Sequence, residues 1–204
     1  MGHLPKNSKK AIRLDAVAQD ILTDKTLPLY AYRAKNKYLP VPGEGSPDAA
    51  VIFVGEAPGL NEARTGRPFI GAAGRVLNEL LASIGLAREA VFITSIVKDR
   101  PPENRDPLPK EIKTYTPFLM RQIDIIKPRV IAALGRHAMN FLMDEFGLGD
   151  QIEPISRAHG KPVSVQSSWG SLTILPLYHP AAALYNGSLK ATLIKDFKTL
   201  KTYI

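Results

Sequence analysis

Residues 55–74, GEAPGLNEARTGRPFIGAAG, decide how this chain is read. The run ahead of them, AVIFV from Ala50 to Val54, is apolar and β-branched, as a buried strand should be. Behind them RVLNELLASIG repeats its apolar residues at helical spacing. The stretch is therefore a strand-to-helix crossover loop. In an open parallel sheet such loops sit at the carboxyl ends of the strands, where ligands bind. Its five glycines and two prolines let backbone approach a ligand closely. Glycines of this kind can simply make turns, but Glu56, Glu62, Arg64 and Phe69 are set among them. A P-loop, a dinucleotide fingerprint and a nucleophile elbow each require a spacing that the chain lacks. What remains is a carboxylate (Glu56), an aromatic face (Phe69) and free amides, a set suited to a flat, polar-edged ligand such as a base.

Composition sets the outer limits. With 204 residues, 45% of them hydrophobic, the chain can bury one good core, which predicts a single domain over 1–204 with 1–48 as an amino-terminal helix and wrapping loop. No run of eighteen apolar residues and no signal-like segment near Met1 is present, and Lys6 rules out a myristoylation signal in MGHLPK. The expectation is a soluble, cytoplasmic protein with no membrane partner. Zero cysteines exclude disulfides, thiolate catalysis and cysteine-ligated metal centres. Lys plus Arg number 27 against 19 Asp plus Glu, a net charge of +8, which favours a polyanionic partner.

Taken in order, Asn7 to Leu22 places Ala11, Ile12, Leu14, Val17, Ile21 and Leu22 at helical spacing, with Ser8 as a cap. Thr23 to Asp48 is rich in Pro, Gly and Tyr and reads as a loop. Its Arg33, Lys35 and Lys37, interleaved with Tyr30, Tyr32 and Tyr38, fit either a nucleic-acid surface or a packed loop with solvated lysines. Strands are predicted at Ala50–Val54, Val91–Val97, Arg129–Gly135 and Leu172–Leu177, the last with a hairpin arm at Pro162–Gln166. Helices are predicted at Ala72–Ile84, Glu111–Ile126, Gly135–Phe146 and Ser188–Tyr203. This alternation argues an α/β fold, a three-layer α/β/α sandwich around a central, mainly parallel four-stranded sheet. Candidate chemistry collects at three strand ends: Glu56, the segment Ser95 to Arg105, and His179. Each has a plain alternative. Glu56 can cap a helix or pair with Arg67, His179 can bond a carbonyl, and His137 and His159 read as structural or surface residues.

Five motifs carry a resemblance. GEAPG, GRPFIGAAG, VKDRPPENR, VIAALG and HPAAAL, in that order between about Ile21 and Ile204, resemble the family 4 uracil-DNA glycosylases. The resemblance implies a monofunctional DNA glycosylase of base excision repair, acting as a monomer on DNA that contains uracil or another deaminated base. Such an enzyme flips the base into a pocket, since the bond to be cut is shielded inside a duplex. It implies that Phe69 stacks on the base, worth about 1 to 3 kcal/mol, with Ala57 and Ser95 also lining the base site. His179 resembles the histidine that hydrogen-bonds uracil O2 as the base departs. Glu56 resembles the carboxylate that positions water or stabilises the cationic sugar. Leu184 is the candidate wedge to fill the vacated stack, and Arg64, Arg67, Lys98, Arg100, Arg105 and Lys190 are candidates for the phosphates.

Two departures from the family pattern matter. The family holds a four-iron four-sulfur cluster on four cysteines, at positions occupied here by Thr23, Thr26, Asp99 and Tyr115, so no cofactor is expected and ordinary packing must tie the amino-terminal loop to the body. The family's uracil-reading asparagine falls at Ser95, whose shorter side chain has one donor and two acceptor lone pairs. A base-reading contact is worth about 1 to 3 kcal/mol of discrimination, so activity weaker on uracil or broader across deaminated bases is expected. A binding module that has lost turnover, or a nucleotide- or RNA-binding protein on the same fold, are the competing readings. The enzyme reading requires Glu56 and His179 to meet across one slot wide enough for a single pyrimidine ring.

Overall fold

The protein is described here as a computed structural model covering residues 8–203; Asn7, the MGHLPK opening and Ile204 lie outside the described residues. Its strands are β1 (Glu44–Gly45), β2 (Val51–Gly55), β3 (Phe92–Ser95), β4 (Val130–Leu134), β5 (Val163–Ser167) and β6 (Gly170–Leu177). They form one sheet in the order β1-β3-β2-β4-β6-β5. β2 pairs in parallel with β3 and β4, and β4 with β6, while β1 and β5 run antiparallel at the two edges. The expected four-stranded sheet is thus the parallel middle of a six-stranded one. β5 is the hairpin arm already foreseen. β1, at two residues, is too short to show any alternation in the sequence.

The helices are α1 (Lys9–Thr23), α2 (Tyr30–Lys35), α3 (Leu60–Thr65), α4 (Ala72–Ser83), α5 (Pro109–Ile126), α6 (Arg136–Glu145), α7 (Ile155–Ala158), α8 (Ala182–Tyr185) and α9 (Gly187–Thr199). α2 and α3 correct two segments read as loop throughout. Each has six residues, less than two turns, and α3 is stopped by Gly66 in the left-handed region (φ 72). Pieces this short carry no periodicity for the sequence to display.

Every residue of β2, β3 and β4 is buried, as a parallel sheet covered on both faces requires. Alternate side chains go to opposite faces. Ile52, Val54, Ile131 and Ala133 face α1, α5 and α6 through Val17, Ile21, Leu119, Ile123 and Leu142. Val51, Phe53, Val130 and Ala132 face α4 and α9 through Leu77, Leu80, Leu193 and Phe197, with the Phe53 and Phe197 rings stacked at 5.7 Å.

A buried polar knot ties the amino-terminal segment to this body. Arg33 on α2 is 5% exposed and Asp99 is 1% exposed. The guanidinium donates to the Asp99 carboxylate (3.1 Å) and to the carbonyls of Ile21 and Leu22 at the end of α1. Tyr115 of α5 donates its hydroxyl to the same carboxylate. Burial pushes the Asp99 carboxyl up, and the Tyr115 hydrogen bond and Arg33 offset that only in part. The reading of Arg33 as part of a basic surface therefore gives way to the packed-loop alternative. Of the four positions where a cluster would be ligated, Asp99 and Tyr115 bond each other, whereas Thr23 donates to Gln19 O and Thr26 to Asp24. These groups do not fit a cluster: no thiolate exists in the chain, and a cation and a phenol already hold the carboxylate.

Replacing Arg33 by Met should leave that carboxylate buried without its cation and lower stability by about 3 to 5 kcal/mol, measured as a shift in the urea midpoint. Arg33→Met combined with Asp99→Leu should recover much of the loss.

Candidate active site

The parallel register aligns Gly55 with Ser95 and brings the carboxyl ends of β2, β3, β4 and β6 to one edge. Phe69 folds back over that edge. Its backbone is in the left-handed region (φ 49), and two glycines admit it. A Cβ on Gly55 would stand 2.8 Å from the tip of the Phe69 ring, and one on Gly74 would collide with the Phe69 carbonyl at 1.8 Å. Two side chains hold the bend. Arg88 donates to the carbonyls of Pro68 (2.6 Å) and Phe69 (3.2 Å), and Glu62 accepts the amides of Ile70 (3.0 Å) and Gly71 (2.8 Å). Arg88 is itself fixed by Glu44 at 2.8 Å. Burial works to raise the Glu44 carboxyl, and hydrogen bonds from Arg67 and Arg88 outweigh it, leaving it below its usual value.

His179 follows β6, and its ring lies 5.7 Å from the Phe69 ring at 33°. Burial lowers its pKa to about 4, so it is neutral across the ordinary range. Below its unfolded value of 6.5 the unfolded chain takes up a proton that the folded protein refuses. The stability gained by keeping the ring neutral is therefore present above 6.5 and lost as pH falls towards about 4. The amide of Ala181 donates to Nδ1 (3.1 Å), which puts the ring proton on Nε2 and makes that end a neutral donor. Phe69, His179, Ser95, Ala57 and Glu62 line one cavity of about 210 Å³. Ser95 is 3% exposed, and among the described residues its hydroxyl has no hydrogen-bond partner.

Glu56 does not share that cavity. Its side chain opens into an adjoining space of about 490 Å³ lined also by Ile96, Pro109, Ile112, His137 and Phe141. The expectation that Glu56 and His179 meet across a single slot is corrected in this respect. The chain bends as β2 and β3 end, with Ile96 N–H donating to Gly55 O (2.9 Å) and Val97 N–H to Glu56 O (3.0 Å); Ala57 and Ser95 line the smaller cavity and their neighbours Glu56 and Ile96 the larger. Burial raises the Glu56 pKa, with His137 and Arg136 pulling it down and Asp106 pushing it up. Glu56 does not pair with Arg67, which is held by Glu44 at 2.8 Å.

His137, read from sequence as structural or surface, stands with Nδ1 3.9 Å from Glu56 Oε1. Its position three residues beyond the end of β4 is the signal that marks it, since strand ends are where this fold gathers a site. Glu56, Asp106 and His137 each offer a ligand atom within 4.8 Å of one another, the set among the described residues able to close on a cation. His159 is structural, bonded to Asp196 at 2.7 Å. Arg88 carried no signal in the sequence, because its partners are carbonyls brought close by folding.

The six expected phosphate contacts divide. Lys98 is fully buried, its ammonium donating to Thr94 Oγ1 (2.7 Å), the Ser95 carbonyl (2.7 Å) and Gln122 (2.8 Å). Burial pushes its pKa well down. It is a structural residue and cannot reach a phosphate. Arg105 is held by Glu111 (2.6 Å) and Lys190 by Glu79 (2.7 Å), and Arg100 donates to Asn104 while lying over the Tyr38 ring. Arg64 is exposed with no ion pair among the described residues. Leu184 on α8 is 47% exposed.

The model of the uracil DNA glycosylase superfamily matches residues 42–201. The type-4 uracil-DNA glycosylase of Sulfurisphaera tokodaii is 43% identical over 189 residues, covering 92% of this chain and 83% of the relative. That of Archaeoglobus fulgidus is 44% identical over 188 residues, covering 92% and 91%. A type-5 uracil-DNA glycosylase of Thermus thermophilus is 33% identical over 155 residues, covering 69% and 68%.

Lys98→Met should lower stability by about 1 to 3 kcal/mol, since three buried acceptors lose their donor, and leave the salt dependence of DNA binding unchanged. Arg64→Ala should do the reverse, reducing the slope of log affinity against log salt by about 1; titrations from 50 to about 200 mM salt read both.

Proposed function

The chain belongs to the uracil DNA glycosylase superfamily, and on that premise we propose that it removes uracil from DNA by hydrolysing the N-glycosidic bond, leaving an abasic site. The observation that carries this reading is the slot between Phe69 and His179, with Ser95 opposite. A flipped base enters it and stacks on Phe69. His179, neutral and protonated on Nε2, donates to the carbonyl oxygen that gains charge as the bond breaks, a contact worth about 3 kcal/mol. A neutral donor suits this step, because it is strongest where charge develops and needs no proton from solvent at neutral pH.

Glu56 acts from the adjoining cavity. In a displacement at a sugar carbon the water and the leaving group occupy opposite faces of the ring. A carboxylate in the adjoining cavity is placed to orient that water and accept its proton while the base remains in its own slot. Leu184 fills the gap left in the stack. Arg67 is 62% exposed and Lys190 49% exposed in their ion pairs. Such surface pairs are worth about 0 to 1 kcal/mol, so both can exchange a carboxylate for a DNA phosphate, joining Arg64 and Arg100.

Ser95 favours broader or weaker base reading than an asparagine would. The Arg33, Asp99 and Tyr115 knot does the tying that the resemblance assigns to a cluster, and the protein works as an iron-free monomer, a single unit on the DNA inside the cell. Among the described residues no helix is long and apolar enough to cross a membrane.

A uracil-containing oligonucleotide incubated with the protein and then treated with alkali should show strand scission. Glu56→Ala and His179→Ala should each slow it by about 100-fold or more. Ser95→Asn should raise the uracil rate about tenfold relative to xanthine and hypoxanthine controls. Tight binding without scission by the wild type would instead mark a relative that has lost turnover.

A further inference from the structure

We propose that His137 is a positioning residue for Glu56, donating its Nδ1–H to the inner carboxylate oxygen so that the outer oxygen is presented to the attacking water. This rests on the reading of Glu56 as the group that handles water. Glu56 Oε1 is buried with no hydrogen-bond partner, although the side chain as a whole is 27% exposed. An ionised oxygen left so is costly unless a donor comes to it. The imidazole of His137 offers Nδ1 at 3.9 Å, about one ångström beyond a hydrogen bond, on a side chain 40% exposed.

The protonation of that ring is set from its other end. Arg136 Nε donates to His137 Nε2 at 3.2 Å, so in the neutral ring the proton sits on Nδ1, facing Glu56. Asp106 Oδ2 lies 3.5 Å from the same Nε2, so Nδ1 is the end of the ring left to face Glu56. The groups facing Glu56 are His137 and Arg136 from α6 and Asp106 from the segment before α5; Lys113 of α5, with Asp144 and Glu145 farther along α6, line the same cavity. His137 and Asp106 thus act on Glu56 with opposite sign.

Single-turnover excision of uracil across pH about 4.5 to 8 tests this, because bell-shaped profiles report the ionisation of the essential groups. Burial keeps His179 neutral to about pH 4 and raises the Glu56 carboxyl, so the acid limb that Glu56→Gln removes is the one that reports Glu56. His137→Leu should move the limb up by about one pH unit, a tenfold loss of rate at a pH below both limbs. His137→Gln, which keeps an N–H donor, should restore most of it, and Asp106→Asn should move the limb down. Asp106 is 69% exposed, so this variant is expected to fold even if His137→Leu does not. Acid limbs in His137→Leu and Asp106→Asn that coincide with wild type would overturn the proposal. A Glu56→Gln variant that excises uracil at the wild-type rate would instead remove the reading of Glu56 on which it rests.

Discussion

The parallel pairing of β2 with both β3 and β4 is the constraint from which the rest follows. It sets the register that brings Gly55 beside Ser95 and puts Glu56, His137 and His179 around one edge of the sheet. Because the three strands are buried on both faces, a slip of one residue would exchange the side chains that meet α4 and α9 with those that meet α1, α5 and α6. The same slip would move Glu56 relative to Ser95 and Ile96. Core and site are therefore specified by a single register.

The same strand ends divide the site into two cavities: where β2 and β3 give way to bends, Ala57 and Ser95 line one space and Glu56 and Ile96 the other. The aromatic face of the smaller cavity depends on backbone: Phe69 holds a left-handed conformation because Arg88 and Glu62 bind the amides and carbonyls around it. Strain of this kind persists only where its surroundings over-determine it.

The amino-terminal segment is attached by different physics. α1 packs apolar residues against α5, while Arg33, Asp99 and Tyr115 form a buried polar knot. Such a knot adds little net stability over an apolar filling, yet losing one partner is expensive because the other charge is left dry. It links α2, α5 and the segment after β3, which lies close behind Ser95.

The strands that matter were legible because each is a short apolar run between turn residues, and the long helices because their apolar faces repeat. Motif order in the chain carried the resemblance and, with it, Glu56, Phe69, Ser95 and His179. Tertiary structure alone decided the rest. Whether a cation reaches solvent depends on what folds over it, so Lys98 and Arg105 looked alike in sequence, yet one is buried under Thr94 and Gln122 and the other lies paired with Glu111. α2, α3 and β1 were invisible because pieces this short have no period. His137 beside Glu56, and Arg88 beneath Phe69, lie 81 and 19 residues from their partners. Sequence names the groups able to do chemistry, but which of them share a space is set by backbone direction and packing, and those exist only in three dimensions.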